Sequence, residues 1–177
     1  PSNLTVAPRI IEDRNSQDIY SDPGNFEMKK NEFGRYVIAV ENNKGYLIGA
    51  GHTKEGQFPF IDEYDFNTLK KTRLYTSNMK GKKEDLLSIE DFKKGEVLVM
   101  IQSKNEYPNY YFRNIKSKNK LTPITTFKNP FESIKNVHKE VIKYKRKDGV
   151  ELSGTLYLPA GYDKTKKEKL PLLIWAY

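Results

Sequence analysis

Few side chains in this sequence have the types and spacing that catalysis requires. The chain of 177 residues has no cysteine, which excludes thiol nucleophiles, disulfides and cysteine-ligated metal sites. Its two histidines, His52 and His138, have neither metal-ligand spacing nor nearby serine and aspartate partners. Because isolated imidazoles do not make a catalytic triad, we interpret both as structural or solvent-exposed.

Three further groups match catalytic or metal-binding patterns only in part. The spacing of Asp62, Glu63 and Asp65 does not fit a calcium loop, and capping of a turn by aspartate explains it better. Residues 77–80 and 117–120 match S-x-x-K, the pattern of a serine activated by a desolvated lysine. Both stand in polar stretches that predict turns, where the lysine is hydrated and protonated, so we interpret the matches as coincidental. No metal or other cofactor is predicted.

The chain is basic, with 31 Lys and Arg against 23 Asp and Glu and a formal net charge of +8. The positive charge is spread over five clusters at predicted strand ends and turns. We interpret these clusters as a solvated rim, and without a recognised binding module we predict no nucleic-acid partner. A basic rim would still attract acidic peptides electrostatically. The clusters lie at residues 70–73, 80–83, 116–120, 143–147 and 164–169.

No apolar run approaches the ~18 residues of a membrane helix, and the start of the chain has no hydrophobic signal-peptide core. We therefore expect a soluble chain with no membrane partner, and the sequence indicates no cellular compartment.

The elements that would position these residues are β-strands. Short apolar runs separated by turn residues at intervals of about 8–12 are typical of sandwiches, barrels and propellers. Residues 60–77 and 109–127 both predict a strand, a tight turn and a returning strand with outward lysines, as in the outer hairpin of a propeller blade. Residues 84–92 favour one short helical turn. Strands are predicted at 36–40, 46–51, 58–66, 72–76, 86–87, 96–102, 109–113 and 121–127.

The sequence changes character after Asn129-Pro130. Asp148-Gly149, flanked by alternating apolar residues, predicts a β-hairpin. The continuous apolar run at residues 170–177, LPLLIWAY, predicts a strand buried on both faces, as in the centre of an α/β sheet. We therefore predict parts of two domains, at residues 1–130 and 131–177.

Residues 141–163, VIKYKRKDGVELSGTLYLPAGYD, together with the run that ends the chain, resemble the entrance to the peptidase domain of the prolyl oligopeptidase family. In that family a β-propeller is followed by a hairpin and the first central strand of an α/β-hydrolase sheet. Residues 17–26 and 49–68 resemble the glutamyl endopeptidase-like branch. The resemblance covers the chain from about residue 10 to its last residue.

The resemblance implies a serine endopeptidase whose propeller gates a Ser-Asp-His site, with cleavage of peptide substrates after glutamate. Tyr177 stands where family members carry a catalytic tyrosine hydroxyl that stabilises the oxyanion. The nucleophile elbow G-x-S-x-G is absent from the chain, as are recognisable triad partners. We therefore expect a mainly β fragment that is inactive alone. Residues 1–130 would be propeller blades, and 131–177 a linker and the first strands of the hydrolase domain.

A non-catalytic β-rich binding module is the alternative hypothesis. Under it, residues 170–177 would pair as an ordinary edge strand. A partial propeller has open sheet edges, which invite pairing between chains, so we expect the fragment to self-associate or to form a swapped dimer.

Overall fold

Antiparallel strands account for most of the regular structure. The computed structural model describes residues 7, 9–166 and 168–176. Strands hold 44% of the chain and short helical turns 5%, so the prediction of a mainly β fold is confirmed. The strands are β1 (Asn25–Phe26), β2 (Met28–Lys30), β3 (Tyr36–Ile38), β4 (Lys44–Gly49), β5 (Phe60–Asp65), β6 (Lys70–Thr76), β7 (Lys82–Asp91), β8 (Glu96–Ser103), β9 (Asn109–Asn114), β10 (Lys120–Pro123), β11 (His138–Lys145) and β12 (Glu151–Leu158).

In the part of the chain that the structure describes, the helical content is confined to three short 3₁₀ turns at Ile19–Ser21, Glu132–Ile134 and Lys164–Lys166. Among the described residues, no helix has the length and apolar character needed to cross a bilayer.

The chain divides into two compact units, residues 1–128 and 129–177. The first unit contains two four-stranded antiparallel sheets. One has the order β1-β4-β5-β6, and the other is a meander in which β7, β8, β9 and β10 follow one another in space as in sequence.

Both sheets contribute to one hydrophobic core. Ile61 and Tyr75 come from the first sheet, and Val97 and Val99 come from the central strand β8 of the second. The alternation along β8 explains this contribution, because Val97, Val99 and Ile101 all face the core while the residues between them face away. The core therefore holds the two sheets together as one unit.

A small hairpin, β2–β3, branches from the first sheet. The chain leaves β1 and enters β2 through Glu27, whose backbone N–H donates to Tyr46 in β4 at 2.8 Å. The carbonyl of Glu27 accepts the N–H of Ala39, just after β3, at 2.8 Å. The backbone hydrogen bonds of Glu27 therefore connect the first sheet to the hairpin β2–β3.

The second unit contains the hairpin β11–β12, paired from His138↔Leu158 to Lys145↔Glu151. Gly149 has a φ of +88°, the left-handed conformation that its turn requires. The hairpin predicted from Asp148-Gly149 is confirmed.

Two local predictions differ from the structure. The short helical turn at residues 84–92 is wrong, because this stretch lies in β7 and pairs with β8. Register shifts between Leu86 and Ser88 and between Ile89 and Asp91 interrupt the alternation that would have identified a strand.

The second difference concerns the apolar run 170–177. Its described part, residues 170–176, forms no strand, and Leu173 has 89% of its surface exposed. A strand needs a neighbour for its backbone N–H and C=O groups. Because no described strand pairs with this segment, its apolar side chains remain in solvent.

Candidate functional site

Tyr177, which the resemblance nominates as an oxyanion stabiliser, lies outside the residues that the structure describes. Trp175, two residues before it in the sequence, has 81% of its surface exposed. The role of Tyr177 therefore stays a prediction.

His138 lies in an exposed cluster of charges at the start of β11. Its Nε2 is 3.1 Å from Glu140 Oε2, and Lys164 Nζ lies 2.6 Å and 2.8 Å from the two oxygens of the same carboxylate. Hydrogen bonds from Lys164 and then from His138 lower the pKa of Glu140. The lowered pKa favours the ionised form of Glu140, whose carboxylate contacts both Lys164 and the His138 ring, and no described serine hydroxyl hydrogen-bonds to that ring.

This cluster borders a cleft of about 510 Å³ in the second unit. The lining offers charged and amide groups beside the apolar Leu158 and Pro159, and it contains no serine, threonine or cysteine. Such a lining suits binding of a polar group rather than nucleophilic attack. The cleft is lined by Asn136, His138, Glu140, Leu158, Pro159, Gly161, Tyr162 and Lys164.

His52 lies in the loop between β4 and β5, far in sequence from the charge cluster. Its backbone forms an isolated antiparallel bridge with Gln57. The loop is closed by Thr53, whose hydroxyl donates to the carbonyl of Gly56 at 3.0 Å. These contacts involve the loop backbone and Thr53, so the interpretation of the His52 imidazole as structural or solvent-exposed stays a prediction.

The acidic residues at 62–65 serve three separate purposes. Asp62 pairs with Arg73 at 2.5 Å, and Glu63 pairs with Lys44 at 2.6 Å. Asp65 accepts the backbone N–H groups of the turn that follows it, at 2.8 Å and 3.0 Å, and these bonds lower the pKa of its carboxyl. The predicted turn capping is confirmed for Asp65. Within the described residues, no group of three or more His, Asp or Glu could hold a metal ion.

The first S-x-x-K match lies between β6 and β7, and the second spans the turn that leads into β10. Ser77 is buried and donates its backbone N–H to the Pro59 carbonyl at 2.7 Å, whereas Lys80 is exposed. Ser117 accepts the backbone N–H of Lys120 at 3.0 Å in the turn between β9 and β10. Neither lysine is desolvated, so neither match has the geometry of an activated serine.

A buried polar network in the core was not found by sequence reasoning. Arg113 Nε in β9 lies 2.5 Å from Glu84 Oε1 in β7, and Tyr75 in β6 donates its hydroxyl to Glu84 Oε2 at 2.7 Å. Burial, reinforced by the hydrogen bond to Glu84, raises the pKa of Tyr75 far above its ordinary value. Tyr75 therefore stays protonated and donates, which links the two sheets through one carboxylate.

The polar groups of this network are hydrogen-bonded to one another and to the backbone, as is typical of a structural element. Arg113 also donates from Nη1 to the Asn119 carbonyl at 2.9 Å, so its charge does not point toward a free ligand position. The only sequence signal was Glu84 standing two residues before the core residue Leu86, on the same face of a strand.

A second, smaller cleft of about 260 Å³ lies within the first unit. Tyr46 and Phe92 stack in it with ring centroids 4.3 Å apart. Lys116 Nζ donates to the carbonyls of Phe92 and Lys93 at 2.8 Å and 3.1 Å, and Lys44 is held by Glu63. The cations of this cleft are already engaged by the protein itself.

The described cationic side chains of the five basic clusters are all solvent-exposed, as a solvated rim requires.

Comparison with known proteins identifies similar sequences. The chain is 39% identical over 190 residues to "Probable glutamyl endopeptidase, chloroplastic" of Oryza sativa subsp. japonica. It is also 39% identical over 194 residues to the protein of the same name from Arabidopsis thaliana. Each alignment covers 100% of this chain and 20% of the relative, so the chain spans about one fifth of the length of these curated relatives. No protein-family model matches the chain.

Among solved structures, AtxE2 isopeptidase without ligand gives a TM-score of 0.39 at 15% identity, covering 77% of this chain and 22% of that chain. A variant of AtxE2 isopeptidase with Astexin3-dC4 bound gives 0.37 at 12% identity, covering 73% and 21%.

Proposed function

We propose that this chain is part of a serine endopeptidase of the prolyl oligopeptidase family, in the glutamyl endopeptidase-like branch, that cleaves peptides after glutamate. The observation that carries the proposal is the 39% identity, across the whole of this chain, to two proteins named probable glutamyl endopeptidase. Since the chain spans 20% of each, the activity belongs to a longer protein.

Within that protein, the first unit is proposed to form propeller blades. Four-stranded antiparallel sheets are the building units of propellers, and the meander β7–β10 has the simple neighbour-to-neighbour order of a blade. Residues 131–177 would lead into the peptidase domain. A propeller wall at the entrance to an active site admits peptides and excludes folded proteins by size.

In the proposed mechanism, a serine outside this chain attacks the peptide carbonyl, a histidine takes its proton and an aspartate orients the histidine. The hydroxyl of Tyr177 and a backbone N–H would hold the oxyanion. A hydroxyl in this position acts on charge that develops only in the transition state, so it lowers the barrier without tightening substrate binding. The chain by itself supplies no nucleophile and is expected to be inactive.

The first experiment is to read the gene beyond the codon for Tyr177 and assay its full product. A G-x-S-x-G element should follow, and the product should cleave a fluorogenic peptide at glutamate but not the matched glutamine peptide. Replacing the elbow serine by alanine should abolish cleavage. Absence of the elbow, or full activity of the alanine variant, would overturn the serine mechanism and favour a non-catalytic β-rich binding module.

The second experiment tests Tyr177 in the full gene product. The substitution Tyr177→Phe removes only the hydroxyl, and loss of one oxyanion donor lowers kcat by about 10²–10³. KM should change little, because the lost hydrogen bond forms in the transition state.

Tyr162→Phe is the matched control in the same unit. Its hydroxyl donates to the Glu168 carbonyl at 2.8 Å, so its removal should leave kcat near the wild-type value. Equal kcat values for wild type and Tyr177→Phe would remove Tyr177 from the mechanism.

A further inference from the structure

The hairpin β2–β3, which branches from the first sheet, is too small for its own packing to make it stable. Its two strands have three residues each, and every strand residue is solvent-exposed. A two-stranded hairpin in water is marginally stable unless a face packs against something. Met28 and Ile38 are nonetheless paired on it with 45% and 37% of their surfaces exposed, so the hairpin presents apolar side chains to solvent.

The tip of the hairpin is ordered and presents an aromatic ring. The Asn31 side chain accepts the backbone N–H groups of Phe33 and Arg35, both at 3.0 Å. The Asn31 carbonyl accepts the N–H of Gly34 at 3.0 Å, and the Asn31 N–H donates to the Arg35 carbonyl at 2.9 Å. Phe33, held in this turn, has 79% of its surface exposed. Because the turn backbone is already fixed, contact of the exposed Phe33 ring with a partner costs little further backbone entropy.

The charges on the hairpin are unbalanced. Lys29, Lys30 and Arg35 are its cations, Glu32 is its single acid, and no described carboxylate lies within salt-bridge distance of the three cations. The hairpin therefore carries positive charge that an acidic partner would neutralise.

Aromatic and cationic groups also stand side by side. Lys30 Nζ lies 5.4 Å from the centroid of Tyr36, which has 65% of its surface exposed. An acidic segment that contains an aromatic or aliphatic residue would meet both kinds of group at once, with carboxylates on the cations and an apolar side chain against Phe33 or Tyr36.

We propose that the hairpin at residues 28–38 is a docking surface for an acidic polypeptide segment with apolar side chains. The inference rests on the proposed function, because a peptidase that cleaves after glutamate meets acidic peptides as substrates. The hairpin would hold such a substrate on the protein and raise its local concentration.

The test measures binding to the 177-residue chain and needs no catalysis. The probe is a short fluorescein-labelled peptide of glutamate interspersed with phenylalanine, titrated at low ionic strength and followed by fluorescence anisotropy. The triple variant K29Q/K30Q/R35Q should weaken binding roughly tenfold, as expected for the loss of three exposed charge pairs. Phe33→Ser should weaken it as well, and the peptide with glutamine in place of glutamate should not bind.

The matched control is K143Q/K145Q/K147Q, which also removes three positive charges, in this case from the hairpin β11–β12 and its turn. It should bind the probe as the wild type does. Equal losses in the two triple variants, or an unchanged affinity in Phe33→Ser, would overturn the proposal, since either result means non-specific attraction. Equal affinity for a single-stranded oligonucleotide of the same charge would overturn the assignment to a polypeptide.

The two proposals fail separately. A full gene product that cleaves after glutamate, with a hairpin variant that binds like wild type, refutes only the docking surface. A hairpin that binds the probe specifically in a gene product without peptidase activity refutes only the proposed function.

Discussion

Glu84 is the residue on which the core of the first unit depends most strongly. Its side chain is fully buried, with 0% exposure, and Arg113 beside it has 6%. A buried charge is tolerated only when its partners are in place, because removal of one partner leaves an uncompensated charge in a medium that solvates it poorly.

The substitution Arg113→Met is therefore expected to destabilise the chain by about 3–5 kcal/mol. Urea unfolding followed by far-UV circular dichroism measures this loss. The control is Lys82→Met, which breaks the exposed pair with Glu106 near the same sheet edge and should cost no more than about 1 kcal/mol.

The double variant Glu84→Met/Arg113→Met tests the reason for the loss. Because it removes both charges, it should recover part of the stability that Arg113→Met loses. Similar small effects of Arg113→Met and Lys82→Met would show that Glu84 and Arg113 are not desolvated in solution.

Glu27 joins the root of the β2–β3 hairpin to the second sheet. Its carboxylate accepts the backbone N–H of Ile89, in the irregular part of β7, at 2.9 Å. Burial raises the pKa of Glu27, and the nearby charge of Glu90 adds to the rise, while the N–H groups of Ile89 and Met28 oppose it.

This raised pKa predicts a pH dependence of stability. Between the ordinary glutamate pKa and the raised value, the folded chain binds more protons than the unfolded chain, so the contribution of Glu27 falls as pH rises through that window. Glu27→Gln keeps an acceptor for the Ile89 N–H and removes the titration. The difference in Tm between wild type and Glu27→Gln should shift in favour of the wild type as pH falls from 7 to 4.

Other carboxyl groups titrate in both proteins and cancel from this comparison. A Tm difference that stays constant over the range would show that the Glu27 pKa is the same in the folded and unfolded chains.

At the scale of strands and turns, signals from adjacent residues predicted more of the structure than signals that depend on pairing with distant residues. Turn residues are local, so Asp148-Gly149 correctly predicted the hairpin β11–β12. β1 and β2 were missed because Asn25–Lys30 is short and polar and takes its pairing from β4 and β3. For β7, a strand was predicted only at residues 86–87 and a helical turn at 84–92, because its bulges interrupt the alternation of apolar residues.

Side-chain pairs between distant strands, and the candidate site, were less accessible to sequence reasoning for the same physical reason. The ion pair of Glu84 with Arg113 joins residues 29 positions apart, and no spacing rule connects them before the strands are paired. The resemblance supplied Tyr177 without its geometry, since its proposed partners lie outside this chain.

Gly51 stands at a loop position that accepts only glycine. Gly51, between β4 and β5, has a φ of +65°, and a Cβ there would lie 1.9 Å from the Phe58 carbonyl oxygen. Gly81, just before β7, has a similar φ of +72° but no heavy atom within 4 Å of a Cβ. Comparing alanine substitutions at Gly51 and Gly81 therefore separates the cost of backbone strain from the cost of steric overlap.

Gly81→Ala is expected to cost about 1–2 kcal/mol, because alanine is disfavoured in the left-handed conformation. Gly51→Ala bears the same strain and must also displace the Phe58 backbone, which adds about 1–3 kcal/mol. Urea unfolding of both variants measures the difference. Equal costs would mean that the loop moves freely enough to accommodate the added methyl group.

At the scale of the whole molecule, charge and apolar exposure act in opposite directions. The net charge of +8 favours separation of the chains in solution. The apolar side chains of Leu172, Leu173, Ile174 and Trp175 are exposed by 75–89%, and a contiguous apolar patch of this kind marks an interaction site. Self-association through open sheet edges is predicted from the sequence and stays a prediction. Residues 170–176 offer a second kind of contact, because their backbone has no strand partner in the described structure.

We therefore expect the chain to self-associate through residues 170–176, and sedimentation velocity over a concentration series should show dimers or larger species. Leu173→Glu should return the chain to a monomer. Added repulsion cannot cause this result, because one glutamate lowers the positive net charge from +8. Phe33→Glu is the control, since Phe33 is exposed to a similar degree, 79%, on the separate hairpin β2–β3. If Phe33→Glu dissociates the assembly and Leu173→Glu does not, the contact lies on the β2–β3 hairpin. A wild-type chain that sediments only as a monomer would show that the repulsion from its net charge outweighs the attraction between exposed apolar segments.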